Sequence, residues 1–123
     1  LMMVTMRARD RATGAKRRSR RDYADQLWRA PIRRPGVCAS CGDRGGPFEA
    51  AHIVPRRFMV TRHDPENGRC LCIPCHRRFT DHEAAWRKFV GPIYDRLWDR
   101  AQAQWSCDYD DAIARIKEAS ARK

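Results

Sequence analysis

Four cysteines, two histidines and one asparagine between Cys38 and Phe89 have the types and spacing to do chemistry. Cys38-Ala-Ser-Cys41 and Cys72-Ile-Pro-Cys75 are two CxxC pairs with 30 residues between them. Two thiolates two residues apart can reach one tetrahedral ion from a single knuckle, and a second pair completes its shell. The spacing therefore predicts a Zn2+ site at Cys38, Cys41, Cys72 and Cys75. Four thiolates leave such an ion no open position, so its expected role is structural. Cys70 lacks the CxxC spacing to Cys75 and reads as a strand residue, while Cys107 stands alone in a helical tail. His52 follows a short apolar run, Asn67 precedes a glycine, and His76 directly follows the last cysteine. An imidazole titrates near neutral pH, so each histidine is a candidate proton acceptor or metal ligand.

These residues need elements to hold them. Phe48 to Val54 reads as a short strand, with Phe48, Ala50, His52 and Val54 on one face and Glu49, Ala51 and Ile53 on the other. Pro55 stops it, and a charged loop from Arg56 to Gly68 closes on the Asn67-Gly68 turn signal. Arg69 to Cys72 is the return strand, and a helix is expected from about Cys75 to Val90, where Phe79, Trp86, Phe89 and Val90 recur at helical spacing. Residues 22–30 read as a short helix capped by Asp22, with Tyr23, Leu27 and Trp28 as its apolar face, ended by Pro31 and Pro35. Towards the other end, Ile93, Leu97, Ala101 and Trp105 make an amphipathic stripe, and Asp108 is a candidate cap for a last helix holding Ile113 and Ile116.

The chain has 123 residues, which suits one small domain with extensions. A core built from about 50 residues is marginal on burial alone, so a metal staple is physically expected. The net charge of +11 is unevenly placed, with 11 basic and 3 acidic side chains in residues 1–34 and an even balance after residue 90. Such a gradient suits a polyanion, most commonly nucleic acid. Residues 1–21 are expected to be a disordered basic arm; its Arg17, Arg18, Arg20 and Arg21 either contact phosphates or keep a solvated tail soluble. Arg56, Arg57 and Arg62 are read in the same two ways, as phosphate contacts or as a solvated loop face. No membrane span or signal peptide is expected, which places the protein in a reducing cytoplasm where CxxC pairs favour metal over disulfide.

Ala51-His52-Ile-Val-Pro-Arg-Arg57, Asp64-Pro-Glu-Asn67 and Cys70-Leu-Cys-x-x-Cys75-His76 together resemble the HNH endonuclease family. The four-cysteine type found in phages and prophages is the nearest form. The resemblance covers roughly Val37 to Val90. It implies a small α+β fold, a treble-clef-like ββα-metal zinc finger with flanking helices. With the arm and helices read from the residues, the expected organisation is an arm over 1–21, a helix and linker over 22–36, the finger over 37–90 and a helical extension over 91–123. It implies metal-dependent hydrolysis of DNA phosphodiester bonds, leaving a 5′-phosphate and a 3′-hydroxyl. His52 is then the general base, Asn67 pins the loop, and His76 binds a divalent ion such as Mg2+, Mn2+ or Ni2+. Family members often carry a second metal ligand just before the base, where this chain has Ala51. Glu49 and His63 are the candidate replacements; His82 is turned off the face of His76, and Glu83 shares that face but lies about 10 Å further along the helix. A non-catalytic zinc-stabilised DNA-binding protein on the same scaffold is the alternative. The partner is DNA in either case; monomer and homodimer stay open.

Overall fold

A computed structural model describes residues 8–103 and 108–121, with side chains from residue 14 onward. Six helices and one two-stranded antiparallel sheet make a small α+β fold among the described residues. Strand β1 (Phe48–His52) pairs with β2 (Gly68–Cys72), with Phe48 opposite Cys72 and His52 opposite Gly68. β2 runs directly into helix α3 (Ile73–Thr80), so hairpin and helix form the expected ββα finger. The pleat turns Ala51 into the core, where it joins Ile53, Val54 and Leu71.

The first strand is two residues shorter than the apolar run suggests. Ile53 and Val54 are buried but leave the ladder, because Asn67 takes over their backbone groups. The Ile53 N–H donates to the Asn67 carbonyl (3.4 Å), and the Val54 N–H donates to the Asn67 side-chain oxygen (2.7 Å). The loop between the strands is also less open than its charge implies, since it contains a short helix, α2 (Met59–Arg62).

The single helix expected over Cys75–Val90 is two helices, α3 and α4 (Glu83–Val90). His82 sits at φ −135°, ψ 80°, outside the helical region. Along a continuous helix, residues seven apart are separated by about 10 Å. The break instead folds Trp86 and Phe89 back onto Phe79, with ring centroids 5.1 and 5.0 Å away. Aromatic packing thus outweighs helix continuation here. Helix α5 (Ile93–Ala103) buries Tyr94, Leu97 and Ala101 in the same core. Trp105 and Cys107 lie outside the described residues. Helix α6 (Tyr109–Ala121) starts as expected at Asp108, whose Oδ1 accepts from the N–H groups of Asp110 (3.0 Å) and Asp111 (3.3 Å).

The expected disordered arm is corrected over residues 8–21. They are the start of a 26-residue helix, α1 (Ala8–Arg33), while residues 1–7 lie outside the described ones. Arg, Lys and Ala are strong helix formers, and a packed segment propagates helix beyond itself. The packing is supplied by α6. Ala24 and Trp28 are buried, Arg20 pairs with Asp110 at 2.6 Å, and the Arg17 guanidinium lies 4.9 Å over the Tyr109 ring. Pro31 is accommodated inside the helix rather than ending it, and Gly36 at φ 64° makes the exit turn.

Helix α1 also crosses close to β2. A Cβ at Gly68 would collide with Ile32 Cδ1 and lie 2.8 Å from Trp28 Cζ2, so only glycine lets α1 approach opposite His52. No helix among the described residues is long and apolar enough to cross a membrane.

Candidate metal centre and active site

The sulfurs of Cys38, Cys41, Cys72 and Cys75 lie within 4.8 Å of one another. Two come from the knuckle before β1, and two from the β2–α3 junction. Gly42 at φ 78° turns the knuckle, while Cys38 N–H donates to Asp43 O (2.8 Å) and Ala39 N–H to Cys70 O (2.8 Å). A tetrahedral ion with Zn–S near 2.3 Å needs sulfurs about 3.8 Å apart. Cys41 and Cys72 are at 3.7 Å, so the donor set fits such an ion. Burial opposes ionisation of Cys38, but backbone hydrogen bonds from Cys41, Cys72 and Ser40 bring its thiol down to about 6. Arg78 reaches Ser40 Oγ (3.1 Å) and the Cys75 sulfur (3.9 Å), where a cation offsets thiolate charge. Cys70 is buried outside this cluster, in β2, and burial pushes its thiol up.

His52 and His76 line one cleft of about 350 Å³, together with Asp25, Trp28, Arg29, Ala50, Arg56 and Arg62. His52 Nε2 lies 3.0 Å from the Arg62 backbone oxygen. A carbonyl only accepts, so Nε2 carries the proton and Nδ1 keeps its lone pair. The ring stacks on Trp28, with centroids 3.9 Å apart and planes 11° apart. Burial pulls the His52 pKa down from 6.5 to about 4, against the opposing effect of the Arg62 carbonyl. The ring is therefore neutral at physiological pH.

The loop that presents the Arg62 carbonyl is latched to α1. Asp25 accepts from Arg62 Nε (2.8 Å) and Nη2 (2.7 Å), and lies 2.6 Å from His63 Nε2. Burial raises the Asp25 carboxyl, but the Arg62 and His63 hydrogen bonds outweigh it and hold it low. His63 is itself buried and neutral-favouring, since desolvation lowers its pKa more than Asp25 restores it. His63, a candidate second ligand in a charged loop, is therefore a fixed residue, because α1 supplies it with a carboxylate. Arg62 is likewise a latch whose side chain is 14% exposed, so its charge is spent inside the protein.

Asn67 is fully buried and makes three hydrogen bonds from its side chain. Oδ1 accepts from Val54 N–H, and Nδ2 donates to the carbonyls of Val54 (3.1 Å) and Thr61 (2.9 Å). The amide thus ties the two ends of the loop whose next carbonyl holds His52. Each orphaned buried group costs about 1–3 kcal/mol, so Asn67→Ala is expected to lower the unfolding free energy by about 3 kcal/mol or more. Urea titration reads this directly, and a loss below about 1 kcal/mol would contradict the pinning role.

At the other wall, His76 Nδ1 lies 2.9 Å from Glu49 Oε1. The carboxylate accepts, so Nδ1 carries the proton and Nε2 is left as a donor atom for a metal. Of the two candidate second ligands, the structure brings Glu49 to His76 and keeps His63 on Asp25. Ala51 is buried in the core. Glu83 accepts from the Tyr94 hydroxyl (3.1 Å), and His82 is exposed before α4. Arg56 is exposed on the cleft, and Arg57 is exposed over the Phe58 ring at 4.9 Å. On α1, Arg17 and Arg20 face α6 as described, Arg21 lies 3.5 Å from Asp22, and Arg18 is exposed. The sequence pattern marks Trp28 as apolar but gives no sign that it covers His52, nor that Asp25 holds the loop.

Residues 38–85 match the family model described as HNH endonuclease. The expected HNH resemblance is borne out over that segment, which holds the four cysteines, His52, Asn67 and His76 and leaves out α1, α5 and α6. No curated protein and no solved structure matches the chain.

Proposed function

We propose, from the HNH endonuclease match over residues 38–85 and the cleft inside it, that this protein is a metal-dependent endonuclease hydrolysing DNA phosphodiester bonds. One observation carries the reading: a neutral imidazole with a fixed N–H and a free lone pair shares a cleft with a second, carboxylate-oriented imidazole. His52 Nδ1 takes the proton of a water whose oxygen attacks phosphorus. The P–O3′ bond breaks, the 3′-oxygen is protonated from solvent, and the products carry a 5′-phosphate and a 3′-hydroxyl. His76 Nε2 would hold a divalent ion such as Mg2+, Mn2+ or Ni2+, with Glu49 orienting the ring. When bound, that ion supplies positive charge to the scissile phosphate and the leaving oxygen. Asn67 keeps the loop carbonyl that orients His52, and Arg56 is placed to hold a phosphate. Cys38, Cys41, Cys72 and Cys75 would bind a structural Zn2+ with no open position, which takes no part in the chemistry.

A second reading, a non-catalytic DNA-binding protein on the same scaffold, draws on Ala51, which offers no ligand before the base. Supercoiled plasmid incubated with Mg2+, Mn2+ or Ni2+ separates the two. The enzyme is expected to nick or linearise it with at least one ion. His76→Ala should raise the ion concentration for half-maximal cutting by about tenfold or more, the scale on which metal sites respond to lost partners. A plasmid left supercoiled under all three ions would favour the binding protein.

A further inference from the structure

The arginines expected to contact phosphates from the first 21 residues are partly occupied, since Arg20 pairs with Asp110 and Arg17 covers Tyr109. A different set is free. Arg29, Arg33 and Arg34 are exposed, and no carboxylate pairs with them among the described residues. They line an open groove of about 540 Å³ that ends against Phe48 at the start of β1. Arg29 also lines the cleft that holds His52 and His76, so groove and cleft adjoin at this residue. Arg29 and Arg33 are one helical turn apart, about 6 Å along the axis. That step is of the order of the spacing between successive phosphates of one strand.

The charges along this strip of α1 are not equally available. N-terminal to Arg29, the same strip of helix carries Asp25, whose charge is taken up by Arg62 and His63, and Asp22, which lies 3.5 Å from Arg21. C-terminal to it come Arg33 and Arg34. The helix C-terminus contributes only about −0.5 charge, too little to cancel two guanidinium groups. A polyanion leaving the cleft therefore meets unpaired guanidinium groups along the end of α1.

We propose that Arg29, Arg33 and Arg34 form a track for the DNA backbone, leading from the His52–His76 cleft along the last turns of α1 to Phe48. The proposal rests on the endonuclease reading for the identity of the polyanion, and adds a contact surface outside the HNH-matched segment. The track holds backbone and reads no bases, because its partners are phosphates.

The test is fluorescence anisotropy of a labelled 20-bp duplex against zinc-loaded full-length protein, across a salt series without added divalent ion. Each lost phosphate contact lowers the salt slope by about 0.9. The combined variant Arg29→Ala, Arg33→Ala, Arg34→Ala is expected to lower it by about 2 to 3. The charge-preserving Lys triple at the same positions should keep the slope, which separates lost contacts from lost fold. An Ala triple at Arg96, Arg115 and Lys117 removes equal charge from α5 and α6 and should leave the slope unchanged. An unchanged slope in the α1 Ala triple, or equal losses in both Ala triples, overturns the track. Plasmid cutting by wild type, run in parallel, reports on the endonuclease reading separately. Wild type that cuts while the α1 triple keeps its slope sinks the track alone. Wild type that binds with a track-dependent slope but never cuts sinks the enzyme alone.

Discussion

Removing the ion expected at Cys38, Cys41, Cys72 and Cys75 should unfold the tertiary structure. Structural zinc in such sites contributes about 10–16 kcal/mol, whereas a domain's whole stability is about 5–15 kcal/mol. The comparison leaves little margin for the metal-free chain. The geometry makes the consequence specific. Cys72 ends β2 and immediately precedes α3, Cys75 sits in the first turn of α3, and Cys38 and Cys72 belong to the buried core. Without the cation, the four sulfurs that join the knuckle to the β2–α3 junction would keep only weak thiol contacts. Chelation should therefore release one Zn2+ per chain and erase the near-ultraviolet circular dichroism of the Phe79, Trp86 and Phe89 cluster. Cys72→Ser should behave like the chelated protein. A metal-free protein with an unchanged aromatic signal and unfolding midpoint would show the knuckle to be dispensable.

The second large effect is expected at His52. General-base catalysis contributes about 10²–10⁴-fold, so His52→Ala should lose that much cutting while duplex affinity stays near wild type. Retention of more than about a tenth of the rate would remove His52 from the role. The ring's protonation offers an independent check. His52 is pulled from 6.5 to about 4, first by burial. Between these values the unfolded chain binds a proton that the folded ring refuses. This ring's effect on stability is thus fully favourable above about 6.5 and is lost as pH falls towards about 4. Histidine-resolved NMR should find the His52 ring unprotonated at pH 5.5, where an ordinary imidazole is about 90% protonated.

What could be read in the sequence is what is local. Two CxxC pairs announce their ion without knowledge of the fold, and the strand before His52 shows in its alternation. The turn that breaks the expected Cys75–Val90 helix is less visible, because Phe79, Trp86 and Phe89 keep helical spacing on both sides of it. The arm over 1–21 misleads for a related reason. Its charge resembles disorder, yet Arg17 and Arg20 find partners on α6, about 90 residues away along the chain. Asp25 and Trp28 are the harder loss. Their contacts with His63 and His52 join segments with no shared periodicity, and only the crossing of α1 over Gly68 brings them together.

That crossing bears on how the protein can be cut or transplanted. The HNH-matched segment contains every residue proposed to touch the reacting atoms. It does not contain the lid over His52 or the bolt on its loop, which are Trp28 and Asp25. A graft of residues 38–85 into another scaffold would carry the motif intact yet present His52 to bulk water, on a loop free to wander. The transferable unit is the motif plus the helix that leans on Gly68, and any host would have to supply both.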